Sequence, residues 1–373
     1  MPPVIMNIRL GYWLLAGWAA AWFAGMALHG GMAWHFFDEG SRALVHLHDP
    51  RGGLHLYAAA PILQIGPVAF LVAAALRGVV AAQVFGAATG AYIMWQAYRL
   101  GHRWSWWAAV CFVPVWMYLA VASAHLDDVL ALAGGVAALA AARYGRPVAA
   151  GLLLGLAVDA KPWALGFAAL LLLLPGPRAM LRGALSAAAA IVAAWLPFFL
   201  ADRGTVRALH FTIPNTSLSA LRALGVTDAR TPPWDRPAQA LLGIGLGIVA
   251  VRRGNWPAVL LLAMAARLAL EPGTNKYYAA GAVVGALVWD LVGSTARFPW
   301  WTVGAMVALH ASRWLPVPDA VHGRIALVYC LACVYVLFDR PRPASESRPA
   351  VPAQAGQPPE VHAYAGSGAS RNP

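Results

Sequence analysis

Residues 10–28 read LGYWLLAGWAAAWFAGMAL, a run with no charged side chain. An uncharged apolar stretch of about 18 residues or more is a candidate transmembrane helix. This one has no convincing cleavage site and leads into a polar loop, so it reads as a first span and not as a secretory signal. Further apolar runs follow at 58–76, 78–97, 104–123, 128–142, 147–158, 162–175, 183–200, 237–251, 256–270, 277–292, 299–311 and 322–338. Several are short for a full crossing, which predicts kinks and soft boundaries. Pro114, Gly134, Gly135 and Pro197 inside them fit helices packed on other helices.

Composition extends this reading to the whole chain. Of 373 residues, 60% are hydrophobic and 11% charged, against roughly 25% charged in soluble domains. The mean hydropathy is +0.61. These values exclude an ordinary soluble enzyme, a disordered protein and a nucleic-acid binder. The net charge of +12 fits arginine gathered in cytoplasmic loops. Spans of about 20 residues, roughly twelve of them, would take up about two-thirds of the chain. The expected fold is an all-α polytopic bundle over residues 1–338, followed by a disordered cytoplasmic tail at 339–373 rich in Pro, Ala, Ser, Gly and Arg. Cys111, Cys330 and Cys333 all sit in apolar runs. They read as packing residues, since a redox pair needs an accessible thiolate.

Charge sets the orientation. One group of connectors carries Arg99, Arg103, Arg143, Arg146, Arg178, Arg182, Arg252, Arg253 and Arg297. The other carries Asp38, Glu39, Asp49, Asp127, Asp128, Asp159, Asp202, Asp228, Asp235, Glu271 and Asp319. The basic group is expected inside and the acidic group outside. The two alternate only if 58–76 does not cross, so Pro61–Leu76 is predicted to be an outer juxtamembrane or re-entrant segment. About twelve spans remain, with both termini cytoplasmic and large outer loops at 29–57 and 202–236.

The candidate chemistry lies on the acidic side. Asp38 and Glu39 follow the first span, where an ionised carboxylate suits a general base. Either can be that base, and a plain solvated loop is the competing reading. His35, His46, His48 and His55 share the loop, but their spacing matches no strong zinc motif. His125-Leu-Asp127-Asp128 opens a span, where acids favour the helix dipole in any case. The chain's only lysines are Lys161, in Asp159-Ala-Lys161-Pro162-Trp163, and Lys276, in Asn275-Lys276-Tyr277-Tyr278. Both stand on the acidic side, as point charges for a phosphate would. Arg267 lies in an apolar run four residues before Glu271, so a structural ion pair and phosphate binding are both open. The 202–236 loop fits a lid, an acceptor platform or a simple connector.

Taken together, these motifs resemble the polytopic glycosyltransferases of the GT-C class. They look most like the actinobacterial polyprenyl-phosphate-mannose-dependent α-mannosyltransferases of glycosyltransferase family 87. The likeness is carried by Asp38 in Trp34-His-Phe-Phe-Asp38-Glu39-Gly, by Pro61-Ile-Leu-Gln-Ile-Gly-Pro67, by His125-Leu-Asp-Asp128, and by the Gly151-Leu-Leu-Leu-Gly155 run that ends in Lys161-Pro162. The resemblance implies transfer, with inversion, of a sugar from a polyprenyl-phosphate donor to an envelope glycan or lipoglycan at the outer face of the plasma membrane. Mannose comes from the resemblance alone. Asp38 would be the base, with Glu39 as the alternative. Arg42, Lys161, Lys276 and Arg267 would face the donor phosphate. His35, His125, Asp127, Asp128, Asp159, Asn275 and Tyr277 would orient the acceptor. No cofactor is expected, while a divalent ion shared by Asp38, Asp127 and Asp128 stays open. A transporter or lipid flippase, and a non-catalytic partner of an envelope enzyme, are the alternatives.

Overall fold

A computed structural model describes residues 2–46 and 51–339, with side chains from Leu10 onward. The expected tail at 340–373, with His48 and Asp49, lies outside the described residues. Everything regular among the described residues is helical, with a single isolated bridge between Pro214 and Arg230. The all-α expectation holds.

Three helical stretches are long and apolar enough to cross a bilayer: Leu10–Ala27, Gly176–Ala201 and Asp319–Leu337. A fourth arises if Pro67–Leu76 and Val79–Gly101 count as one bent unit. The other apolar helices are shorter, and two of them change winding. Trp106–Met117 continues as a π-helical turn over Tyr118–Ala122. Pro162–Leu173 is wound as a 3-10 helix through all 12 residues. At about 2.0 Å per residue such a segment reaches roughly as far as 16 residues of α-helix.

The segment expected to stay out of the bilayer is a helix, Pro67–Leu76, bent 114° from Val79–Gly101. Arg77 makes the corner in the left-handed region, with φ 58°. The segment is held down by its own small core of Phe37, Leu56, Tyr57, Leu63, Phe70 and Phe198, and the Tyr57 hydroxyl donates to Ile65 O at 2.7 Å. It is also pinned from below. Asp159 Oδ2 accepts the Val68 N–H at 3.0 Å, in the first turn of the short helix. Only glycine fits at position 66, where a Cβ would fall 1.4 Å from Asp159 O.

Small residues bring the long helices together. A Cβ on Gly151 would sit 2.0 Å from Gly183 O, and one on Gly155 would sit 2.6 Å from Ala187 O. This four-residue spacing lets the backbones of Pro147–Ala160 and Gly176–Ala201 touch. The main core is built around Trp116, Trp289, Phe112, Phe167 and aliphatic side chains.

The two ends of the bundle differ. At one end arginines lie on aromatic rings: Arg99 on Trp95 and Tyr144, Arg143 on Trp256, Arg253 on Phe338. At the other end the connectors tie to one another. His55 meets Asp202 at 3.2 Å, Arg236 donates to Gln64 at 2.9 Å, and Ser217 donates to Asp319 at 2.9 Å.

Candidate active site: a buried ion network where the helices end

Two helix starts and two helix ends meet at the acidic end. Leu126–Arg143 begins there, and after the tight connector Tyr144–Arg146 the antiparallel helix Pro147–Ala160 returns to it. The start of one helix and the finish of the next are thereby side by side. Asp127 and Asp128 occupy the first turn of the former, where exposed N–H groups and the dipole favour anions. Lys161 caps the latter, where a cation is favoured. Pro162 forces Lys161 into an extended backbone and stops the helix there. Val259–Leu270 brings Arg267 in its last turn, and Lys276–Tyr278 begins the next helix.

These side chains form one network. The Lys161 ammonium donates to Asp127 Oδ2. His125 Nδ1 lies 2.5 Å from Asp127 Oδ1 and 3.2 Å from Asp128 Oδ2. Asp127 Oδ1 also accepts the Asp128 N–H at 2.8 Å. Trp163 Nε1 donates to Asp128 Oδ1 at 3.0 Å, and Arg267 Nη1 approaches the same oxygen at 3.8 Å. Arg267 Nε donates to Glu271 Oε2 at 3.3 Å. The guanidinium is stacked over Trp163 at 4.5 Å and over Tyr278 at 4.8 Å. The His125 ring packs on Tyr277 at 4.2 Å and meets Phe37 edge-on at 5.8 Å. Asn275 Nδ2 donates to the hydroxyls of Tyr277 and Tyr278 at 3.2 and 3.3 Å.

Burial ranks the members. The Asp127 side chain is 0% exposed and that of Arg267 6%, whereas Lys161 keeps 20%. Lys161 is therefore the more open of the two buried cations. Three carboxylates (Asp127, Asp128, Glu271) face two fixed cations (Lys161, Arg267). With His125 neutral, the network carries one surplus negative charge.

The other expected residues lie apart. Asp38 pairs with Arg42 at 2.8 Å on the helix Trp34–Val45, and their side chains are 38% and 72% exposed. Glu39 and His35 are exposed, and His35 Nδ1 contacts Met32 O. Asp159 binds the Val68 N–H. Lys276 sits over the Trp314 ring at 3.6 Å. His46 contacts Arg42 O and His55 contacts Asp202, so the described loop histidines do not converge. Outside the bundle, Asp202 is held below the usual carboxylate range by the Gly204 N–H and then by His55. Spacing alone did not mark Trp163 or Tyr278 as members. Their only signal was an aromatic residue within two places of each lysine.

His125, Asp127 and Asp128 offer three ligand atoms within 4.8 Å of one another, a geometry that can hold a metal ion. Lys161, Arg267 and the Trp163 N–H already engage those carboxylates, so a divalent ion would have to displace them.

Apart from the network, an apolar groove of about 790 Å³ is lined among others by Leu44, Pro67, Leu71, Leu152, Leu156 and Phe198. The helix that gives Leu152 and Leu156 to its wall ends at Lys161. That places Lys161 about 7.5 Å along the axis from Leu156 and roughly 140° around it. No family model, curated protein or solved structure matches the chain.

Proposed function

We propose that the chain is an integral membrane glycosyltransferase of about twelve spans that takes a sugar, mannose by resemblance, from a polyprenyl-phosphate donor. The observation that carries this reading is that one helix, Pro147–Ala160, gives Leu152 and Leu156 to an apolar groove and ends at Lys161, a mostly buried ammonium in the ion network. An isoprenoid tail needs the groove. The phosphate at its head needs a cation, and stabilising a departing phosphate is usually the largest catalytic contribution. Lys161 spends one N–H on Asp127 and has two more to offer. The sharp corner at Arg77 and the pinned Pro67–Leu76 helix support an outer juxtamembrane segment in place of a crossing.

Asp38 is the base in this reading. Asp127 and Asp128 are buried and engaged by cations, so neither can take up a proton without breaking the network. Asp38 is partly exposed, its partner Arg42 lies in solvent and can release it, and its neighbour Phe37 packs on His125. Glu39 faces solvent on the next position of the helix, which makes it the poorer choice. The acceptor oxygen bonds to the anomeric carbon as the carbon–phosphate oxygen bond breaks. Asp38 takes the acceptor's proton, and the lipid phosphate leaves beside Lys161. Arg267, stacked and paired with Glu271, holds the network's shape. The active face is the outer one, with both termini inside the cell.

The test is transfer of label from polyprenyl-phosphate-mannose to membrane acceptors, with wild type and Asp38→Asn at equal expression. Label that appears with wild type and vanishes with the variant is the expected result. Substantial transfer by Asp38→Asn removes Asp38 as base. A transporter or flippase is the second reading, and the π-helical turns at Tyr118–Ala122, Trp289–Gly293 and Met306–His310 favour it, because broken helices mark transport sites. Passage of a lipid-linked sugar across vesicles without transfer would decide for it.

A further inference from the structure

Across Glu271 from Arg267 lies a second, smaller pocket. Ser219, Glu271, Asn275, Tyr278, Arg313 and His322 supply its polar lining. Four stretches far apart in sequence close it, one of them from the 202–236 loop. The fit of that loop is tight: a Cβ on Gly323 would meet Ser219 O at 2.5 Å.

Its lining carries one cation, Arg313, and one carboxylate, Glu271. Arg313 is partly buried, and its one described hydrogen bond runs from Nη2 to Thr274 O at 2.7 Å. No carboxylate among the described residues lies within 4 Å of it or of Lys276. Asp319, the acid nearest in sequence, accepts the Ser217 hydroxyl. His322 is 7% exposed, and its Nδ1 is buried without a partner. Arg313 thus has no carboxylate in contact among the described residues, Asp319 acting on it only at longer range, and the same pocket holds a buried imidazole nitrogen with no partner; an oxyanion would satisfy both. Arginine's planar fork suits an oxyanion held through two N–H groups. On the opposite wall, Glu271 repels an anion and accepts hydroxyl protons, and the pocket therefore has a direction.

We infer that this pocket binds a phosphate ester borne on a hydroxylated headgroup, with the ester on Arg313 and His322 and a hydroxyl turned toward Glu271 and Asn275. Its role as the acceptor's anchor rests on the glycosyltransferase reading. The binding itself does not.

The test is calorimetric titration of the purified full chain, in phosphatidylcholine nanodiscs, with glycerol phosphate, inorganic phosphate and glycerol. Glycerol phosphate should saturate the protein and bind more tightly than inorganic phosphate, and glycerol should not bind. Loss of a charged hydrogen-bonding partner in Arg313→Gln should weaken binding by about tenfold or more. Arg313→Lys, which keeps the charge, should fall between the two, and Arg178→Gln at the far end should change nothing. Size-exclusion profiles establish that each variant is folded. Should Arg313→Gln fail that check, the Arg313→Lys and His322→Gln titrations decide. No saturable binding, equal binding of glycerol, or unchanged affinity in the Arg313 and His322 variants would overturn the inference. Equal affinity for inorganic phosphate would overturn its hydroxyl half. Intact binding in a protein that transfers no sugar would sink the enzyme reading alone.

Discussion

Asp127 shows how a single carboxylate organises this end of the molecule. It is fully buried and takes Lys161 on one oxygen, with His125 and the Asp128 N–H on the other. Asp127→Asn keeps the shape and strands the ammonium. Breaking one side of a buried ion pair costs about 3–5 kcal/mol. The variant should therefore show a clearly lower thermal midpoint in detergent, and pairing it with Lys161→Met should cost less than the sum of the single changes. Strict additivity would mean that the two side chains do not act as a pair. Most members of the network were readable as residues of interest, because His125, Asp127, Asp128, Lys161 and Arg267 are charged groups at the edges of apolar runs. Their mutual neutralisation was not readable. It depends on two antiparallel helices placing the start of one against the finish of the other, which no spacing within either motif encodes. The Arg267–Glu271 pair was visible, since four residues make one helical turn.

Among the elements, the short helix Pro67–Leu76 depends most on a single position. Gly66→Ala puts a methyl into the Asp159 carbonyl, so it should loosen this helix from the bundle and make the 58–76 segment more susceptible to protease. Gly17→Ala, with open space around it, is the control. Equal protease resistance in both would show that the contact does not hold the segment. The turn after Gly176–Ala201 has a pH signature. Asp202 is held below its ordinary range, so its stabilising effect is complete near neutrality and is lost as pH falls through that lowered value. The difference in thermal midpoint between wild type and Asp202→Ala should shrink on acidification. A constant difference would rule out the carboxylate as its cause. Charge alternation alone sets 58–76 apart from the spans, because these residues are as apolar as a span, and it does not mark the corner at Arg77. Its cause, a left-handed residue followed by glycine, carries no hydropathy signal.

For the whole molecule, the arginine-rich and acidic ends make a test of orientation. In a chain with Cys111, Cys330 and Cys333 changed to alanine, an impermeant maleimide on intact cells should label Asp228→Cys and not Arg178→Cys. The reverse pattern would invert the proposed orientation. Because Lys161, Arg267 and the Trp163 N–H already engage Asp127 and Asp128, sugar transfer should survive chelation by EDTA. Activity lost on chelation and restored by a divalent ion would assign His125, Asp127 and Asp128 to that ion. The tightly wound Pro162–Leu173 segment joins these scales mechanically. With three residues per turn, Ala164, Phe167 and Leu170 stand in one straight buried row, like teeth on a rack. Rewinding the segment to an α-helix would shorten it by about 6 Å and shear that row into a spiral. Its first residue follows Lys161 directly, so the stroke would act on the ammonium that Asp127 holds. The ion pair and the winding of this helix are therefore joined through a single residue, Lys161.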